Sequence, residues 1–244
     1  MSKKYYFFSD VHLGFGSREV EKIKEKRLLK FLDKISIDAE KIYIVGDLFD
    51  CWIEYRKAVP KGYYRTLSKL NEITESGTEI NFISGNHDFW TNTYLRDDVG
   101  LILHDKMETI IEGRKFYIIH GDGLSGNDIG YRLLKMVLRN RVNQFLYSCI
   151  HPDIGLTIAQ SSSRKSRFHS ADNSRGSKGM LDFAKNKIHE GFDFVVMGHY
   201  HKPQSTEINI NGRSGYYITL GDWIENYTYG EFSSGEFRIR KYTD

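Results

Sequence analysis

Five short polar clusters hold the residues of this chain best suited to chemistry. They are Asp10-Val11-His12, Gly46-Asp47, Gly85-Asn86-His87-Asp88, His120-Gly121-Asp122 and Gly198-His199-Tyr200-His201. Carboxylate, amide and imidazole recur in them, with no thiolate. That donor set suits hard and borderline divalent cations such as Mn, Fe or Zn. A lone histidine is most often a satisfied core residue, so no single cluster decides anything. Five of them, each directly after a short apolar run, describe a metal site assembled at the strand ends of a sheet. His104, His151, His169 and His189 fall outside the pattern and read as surface or lid residues.

The clusters need elements to position them. Tyr5 to Phe8, Ile42 to Val45, Ile80 to Ile83, Phe116 to Ile119 and Phe192 to Met197 are the apolar runs that precede them, each read as a buried strand. Between the strands, residues 18–36 place Val20, Ile23, Leu28, Phe31, Leu32 and Ile35 at amphipathic helical spacing. Residues 62–76, with Gly77 as a stop, and 178–190 also read as helices. Alternating strands and helices indicate α/β architecture, in which one edge collects the functional groups. Beyond residue 204 the pattern changes: Ile208 to Ile210, Tyr216 to Leu220 and Phe237 to Ile239 read as short antiparallel strands of the same domain.

Residues 127–175 stand apart. Leu134, Leu138, Val142, Phe145 and Cys149 recur at helical spacing, widened by Leu133, Val137, Leu146 and Ile150. Arg132, Lys135, Arg139, Arg141, Arg164, Lys165, Arg167 and Arg175 flank them. This is the pattern of an inserted helical cap. The chain therefore reads as a single domain, 1–244, with a lid insertion at about 127–175.

The 244 residues carry a formal charge of +3, too mild to imply nucleic acid, and the basic residues gather in the insertion rather than in a stripe. Two cysteines exclude a disulfide framework. No run approaches the roughly 20 apolar residues that span a bilayer. The apolar start, Tyr5 to Phe8, is too short for a signal sequence. The expectation is a cytoplasmic protein.

As a set, in this order, the clusters resemble the calcineurin-like metallophosphoesterases, whose pattern is D-x-H, GD, GNH(D/E), a later H, and GHxH. The resemblance implies a four-layer αββα sandwich with an inserted helical lid and two divalent metal ions. It implies that Asp10, His12, Asp47 and His201 bind one metal. It assigns Asp47, Asn86, His120 and His199 to the other, with Asp47 as the bridge. Two cations about 3.5–4 Å apart activate a bridging hydroxide for in-line attack on phosphorus. His87 would then be a proton donor or positioning group for the departing oxygen, with Asp88 fixing its tautomer. Asp122 would orient a metal-bound imidazole.

A closer resemblance is to the UDP-2,3-diacylglucosamine hydrolases of lipid A synthesis. Gly46-Asp47-Leu48-Phe49-Asp50-Cys51-Trp52-Ile53, Gly85-Asn86-His87-Asp88-Phe89, the run from His120 to Tyr131, and Leu220-Gly221-Asp222-Trp223 carry it. It implies Mn²⁺ and cleavage of UDP-2,3-diacylglucosamine to lipid X and UMP. It also implies substrate contacts at Asn86, His87, Asp128, Tyr131, Arg164, Lys165 and Ser166. Helices apolar on one side and basic at their flanks suit acyl chains, and suit peripheral contact with the cytoplasmic face of the inner membrane. One position departs: His87 stands where that family usually has Arg. The alternative is a soluble phosphomonoesterase or nucleotide phosphodiesterase. A scaffold without activity is disfavoured, because all seven ligand positions are filled.

Overall fold

Successive side chains of a strand point to opposite faces, and in this chain both faces of the central strands are apolar. In β1 (Lys4–Phe8), Tyr6 and Phe8 enter one core while Tyr5 and Phe7 enter another. β2 (Ala39–Val45) does the same with Ile42 and Ile44 against Tyr43 and Val45. Strands covered on both sides read as continuous apolar runs, which is why the sequence shows compact runs rather than alternation. The computed structural model describes the backbone of residues 3–124, 129–169 and 174–243, with all side chains there except 129, 131, 132, 162–169 and 174–176.

Two sheets result. With β3 (Glu79–Ile83), β4 (Ile102–His104), β10 (Thr228–Ser233) and β11 (Glu236–Lys241), the first runs β11-β10-β1-β2-β3-β4. With β5 (Lys106–Ile111), β6 (Arg114–Ile119), β7 (Phe194–Met197), β8 (Pro203–Ile210) and β9 (Arg213–Leu220), the second runs β5-β6-β7-β9-β8. Between them lies a core of Phe7, Tyr43, Phe116, Ile118, Phe194, Val196, Ile218 and Phe232. Phe116 stacks on Phe7 and Phe194 there, with ring centroids 5.9 and 4.6 Å apart.

The outer faces are closed by helices. α1 (Arg18–Ser36), capped by Ser17, and α2 (Tyr64–Glu75) lay Leu28, Phe31, Leu32, Leu67, Leu70 and Ile73 on the first sheet. On the second sheet, α6 (Ser174–Glu190) buries Met180, Ala184 and Ile188, one residue per turn, against Tyr117, Val195 and Tyr217. The order helix–sheet–sheet–helix is the four-layer αββα sandwich.

The antiparallel expectation for the C-terminal strands needs a correction. β8 and β9 are antiparallel, but β9 pairs in parallel with β7. β10 and β11 leave for the other sheet, where β10 runs antiparallel to β1. β4, β5 and β10 had no strand reading in the sequence. β5 and β10 mix polar residues into the strand, as in Lys106-Met107-Glu108-Thr109 and Thr228-Tyr229-Gly230-Glu231, and β4 is only three residues long.

Between β6 and α6 stand α3 (Ile129–Arg139), α4 (Arg141–Ser148) and α5 (Pro152–His169). Tyr147 of α4 and Leu156 and Ala159 of α5 pack on a small fourth core of Cys51, Ile53, Tyr55 and Trp90, but most apolar side chains of the three helices stay outside it. Leu133, Leu134, Met136, Val137, Val142, Phe145, Leu146, Ile154 and Ile158 are each more than half exposed, Phe145 at 68%. Among the described residues no helix is long and apolar enough to cross a membrane.

Candidate metal centre

The sequence suggested a site on a sheet; the structure builds it across two. β1, β2 and β3 are parallel neighbours, so Asp10, His12, Asp47 and the Gly85–Asp88 turn leave the same edge of the first sheet. β6 and β7 are parallel in the second, so His120, His199 and His201 leave the matching edge. Hydrogen bonds lace the two edges together. The His120 Nδ1 lies 2.9 Å from the Val45 carbonyl oxygen, and the His199 amide donates to Asp10 Oδ2 at 2.9 Å.

The backbone at five of the candidate ligands is unusual. Asp10, His12, Asp47, His199 and His201 all adopt positive φ, between 48° and 64°. Non-glycine residues in this left-handed region each cost on the order of 1 kcal/mol and persist only where the surroundings impose them. Here the surroundings are backbone: the Asp10 and His12 amides donate to the Gly46 and Asp47 carbonyls at 3.1 and 2.9 Å. The turns throw five side chains inward from strand ends that would otherwise point them along the sheet.

Three overlapping groups of donor atoms each fall within 4.8 Å: Asp10–His12–His201, His12–Asp47–His87 and Asp47–His120–His199. Asp47 Oδ2 lies 3.3 Å from His120 Nε2 and 3.7 Å from His12 Nε2. Asp10 Oδ1 lies 3.4 Å from His201 Nε2. Asn86 Oδ1 reaches within 3.2 Å of His120 Nε2. All seven expected ligands therefore meet in one place, with His87 beside them, its Nε2 4.0 Å from Asp47 Oδ2. Asp10 Oδ1 is buried with no hydrogen-bond donor, a position that costs energy unless a cation meets it. Nitrogen and oxygen donors converging on such an atom fit divalent cations.

Electrostatics support the same fit. Burial works against the charge of Asp47, yet the imidazoles of His120, His87 and His12 hold its carboxyl well below the usual range. Burial lowers His120, but the Asp47 and Asp10 carboxylates push it up to about 10. Burial and the neighbouring His120 charge bring His199 down to about 4. Burial likewise lowers His87.

The role expected for Asp88 is corrected. Its carboxylate is fully buried and accepts from the amides of Asp47, Leu48, Phe49 and Gly85 at 2.7–3.4 Å. It locks the Asp47 loop to the Gly85 turn. The His87 Nδ1 instead lies 2.9 Å from the Asp50 carbonyl oxygen. Because a carbonyl only accepts, Nδ1 carries the hydrogen and Nε2 faces the centre. Asp122 pairs with Lys135 at 2.6 Å, and the charges of His120 and His199 also act on it. Asp128 lies outside the described residues, as do the side chains of Tyr131, Arg164, Lys165 and Ser166.

Three further residues had no role in the sequence reading. Asp50 Oδ1 sits 3.6 Å from His12 Nδ1, and Asp222 Oδ2 sits 3.5 Å from His201 Nδ1. Carboxylates behind imidazoles orient them and raise their basicity. Their signal was present: Asp50 follows Asp47 by three, and Gly221-Asp222 repeats Gly46-Asp47. Lys24 is the third. Its buried Nζ donates to the His12 carbonyl at 2.6 Å, and nothing in the sequence of α1 marks it.

The family model for calcineurin-like phosphoesterases matches residues 3–203, a span that contains all seven candidate ligands. The chain belongs to the calcineurin-like phosphoesterase family. This phosphoesterase is similar to the UDP-2,3-diacylglucosamine hydrolase of Porphyromonas gingivalis, 33% identical over 248 residues and covering 94% of each chain. It is similar to that of Hahella chejuensis at 28% over 243 residues, covering 96% of this chain and 95% of the other. A solved archaeal phosphodiesterase is 15% identical, with 97% and 98% covered and a TM-score of 0.47. The phosphoesterase is a metal-dependent enzyme.

Proposed function

We propose that this phosphoesterase hydrolyses the pyrophosphate of UDP-2,3-diacylglucosamine to 2,3-diacylglucosamine 1-phosphate and UMP. The observation that carries the reading is the apolar apparatus beside the metal centre. A cleft of about 1540 Å³ lies between the 54–59 and 89–94 segments and α4. Tyr55, Phe89, Trp90, Tyr94 and Phe145 form its apolar walls, and Arg56, Lys57, Arg139 and Arg141 its cationic part. None of the seven ligands lines it; it approaches them at Ser84, which directly precedes the Gly85 turn. A small phosphoester needs no such volume, whereas acyl chains gain roughly 0.8 kcal/mol per buried methylene. The names of the relatives support the same substrate.

In this reading Asp10, His12, Asp47 and His201 hold one cation, and Asp47, Asn86, His120 and His199 the other. Mn²⁺ suits the donors, as do Fe and Zn. Bound there, the pair supplies Lewis acidity, acidifying a water and neutralising phosphoryl oxygens. His87, held at Nδ1, presents Nε2 to the reacting group. Its lowered pKa keeps the ring largely neutral near pH 7, so it positions the group more than it protonates it. A phosphate leaving group requires no proton, so pyrophosphate chemistry tolerates this. The exposed leucines and Phe145 of α3 and α4, with Arg141 between them, suit contact with an anionic membrane surface, where a diacylated substrate resides.

His87 also favours a second reading. An imidazole can move a proton to an alkoxide, which a fixed arginine cannot, so a phosphomonoester or phosphodiester of small size is the alternative. Hydrolysis of UDP-2,3-diacylglucosamine with Mn²⁺, beside UDP-N-acetylglucosamine and p-nitrophenyl phosphate, separates the two. UMP release from the diacylated substrate alone is expected. Cleavage of the controls with the lipid untouched would leave the phosphoesterase chemistry and remove this substrate.

A further inference from the structure

α3 is joined to the core less by its apolar face than by two cations. Leu133, Leu134, Met136 and Val137 are more than half exposed. Lys135 and Arg139 stand four residues apart, on one face of the helix, and both turn to loops that carry metal ligands. Lys135 Nζ pairs with Asp122 Oδ2 at 2.6 Å and donates to the Asp122 carbonyl at 3.3 Å. Asp122 is buried two residues beyond His120. Arg139 reaches the other loop. Its Nη1 donates to Asp105 Oδ1 at 2.7 Å, and its Nη2 to the Gly85 carbonyl at 3.4 Å and to Ser84 Oγ at 3.5 Å. Its guanidinium lies 5.3 Å over the Phe89 ring. Gly85 directly precedes Asn86.

These contacts share a target. His120 and Asn86 belong to the same proposed cation, the one His199 completes. Neither Lys135 nor Arg139 has a contact with the loops bearing Asp10, His12 or His201 among the described hydrogen bonds and ion pairs. We propose that Lys135 and Arg139 are positioning residues for the second metal ion, through which the helical insertion sets the geometry of Asn86 and His120. The proposal rests on the two-cation assignment above. Lys135 pairs with the buried Asp122 carboxylate, on which the His120 and His199 charges also act. Arg139 ties the carbonyl before Asn86 to the exposed Asp105 carboxylate between β4 and β5, so displacement of α3 moves the candidate amide ligand.

The test is Mn²⁺ binding to the metal-free full chain, by calorimetry and by electron paramagnetic resonance of the Mn²⁺ pair. Wild type is expected to take two equivalents and show a spin-coupled signal. Lys135→Met and Arg139→Met should each bind the second equivalent roughly 10–100-fold more weakly, the range for groups that orient metal ligands. The first equivalent should stay near wild type, and the coupled signal should give way to isolated Mn²⁺. Lys135→Arg should restore the second equivalent. Arg139→Lys, which keeps charge but loses the fork, should fall between. These conservative variants also read the effect if the methionine forms do not fold. Two equivalents at wild-type affinity in both methionine variants would overturn the proposal while leaving the two-cation assignment intact. Equal weakening of both equivalents in a folded variant would also overturn it, as general destabilisation. A wild type taking one equivalent would overturn the two-cation assignment and this proposal together.

Discussion

Replacing Gly85 by alanine should displace the Asp47 carboxylate without replacing any candidate ligand. A Cβ at Gly85 would lie 2.6 Å from the Asp47 amide nitrogen and 2.8 Å from its carboxyl carbon, and would overlap Oδ1. Non-bonded atoms rest at about 3.5–4.0 Å, so Asp47 or the turn must retreat by about 1 Å. Neither is free to do so cheaply. Asp88 bonds the amides of both Asp47 and Gly85 at 3.2 and 2.8 Å, and Asp47 Oδ1 accepts from the His87 amide at 2.9 Å. Overpacking of this kind costs roughly 1–3 kcal/mol of stability, and a 1 Å misplacement in a reacting constellation costs about 10²-fold in rate. The assay is Mn²⁺ content after dialysis together with kcat/KM for phosphoester hydrolysis. Gly130→Ala, where an added Cβ meets nothing within 4 Å, is the control and should keep wild-type metal content. A Gly85→Ala protein with full metal content and turnover within a few-fold of wild type would refute the idea that this close approach seats Asp47.

Three other outcomes follow from the same geometry. His87→Ala should lower the rate by roughly 10²-fold, the range for a lost positioning contact, while both metal equivalents remain; loss of an equivalent, measured by elemental analysis, would make His87 a ligand, as its group with His12 and Asp47 allows. Metal uptake should release about one proton near pH 7, because His120 sits at about 10 and must give up its proton, whereas His199 at about 4 already has none. Affinity should accordingly rise with pH, and calorimetry in buffers of differing ionisation enthalpy would expose an absence of proton release. Asp222→Asn should weaken Mn²⁺ binding roughly 10–100-fold by freeing the His201 ring. Burial disfavours the charge of Asp222, but hydrogen bonds from His201 and the 225 and 226 amides hold its carboxyl at about 2 against an ordinary 3.8. A depressed carboxyl stabilises the fold above its unfolded value and loses that contribution as pH falls. Wild type should thus lose roughly 2 kcal/mol between about pH 4 and pH 2. Denaturant unfolding of Asp222→Asn over that range should lack this component.

Much of the molecule was readable before folding. The α/β class and the five cluster-bearing strands follow from apolar runs covered on both faces, and the α1 and α2 spans from amphipathic spacing, signals that survive in one dimension; the four-layer αββα order came from the family resemblance. The ligand types were equally plain, since donor chemistry belongs to the residue. β4, β5 and β10 were not; β5, for one, alternates half-buried and exposed residues and draws its stability from pairing with β6. The parallel pairing of β9 with β7 was hidden for the same reason: register and direction are set by partners distant in sequence.

The sequence by itself determined which atoms can bind a cation and that they sit at strand ends. The tertiary structure decided that those ends face one another across two sheets, because alternate side chains of each strand must enter different cores. It decided that Asp88 serves backbone amides while the Asp50 carbonyl sets the His87 ring, since three residues' separation does not say which way a turn points its carboxylate. It also decided that the apolar side of α3 and α4 faces outward rather than into the core. Spacing reveals that a helix has an apolar face, but only the packed neighbours determine what that face meets.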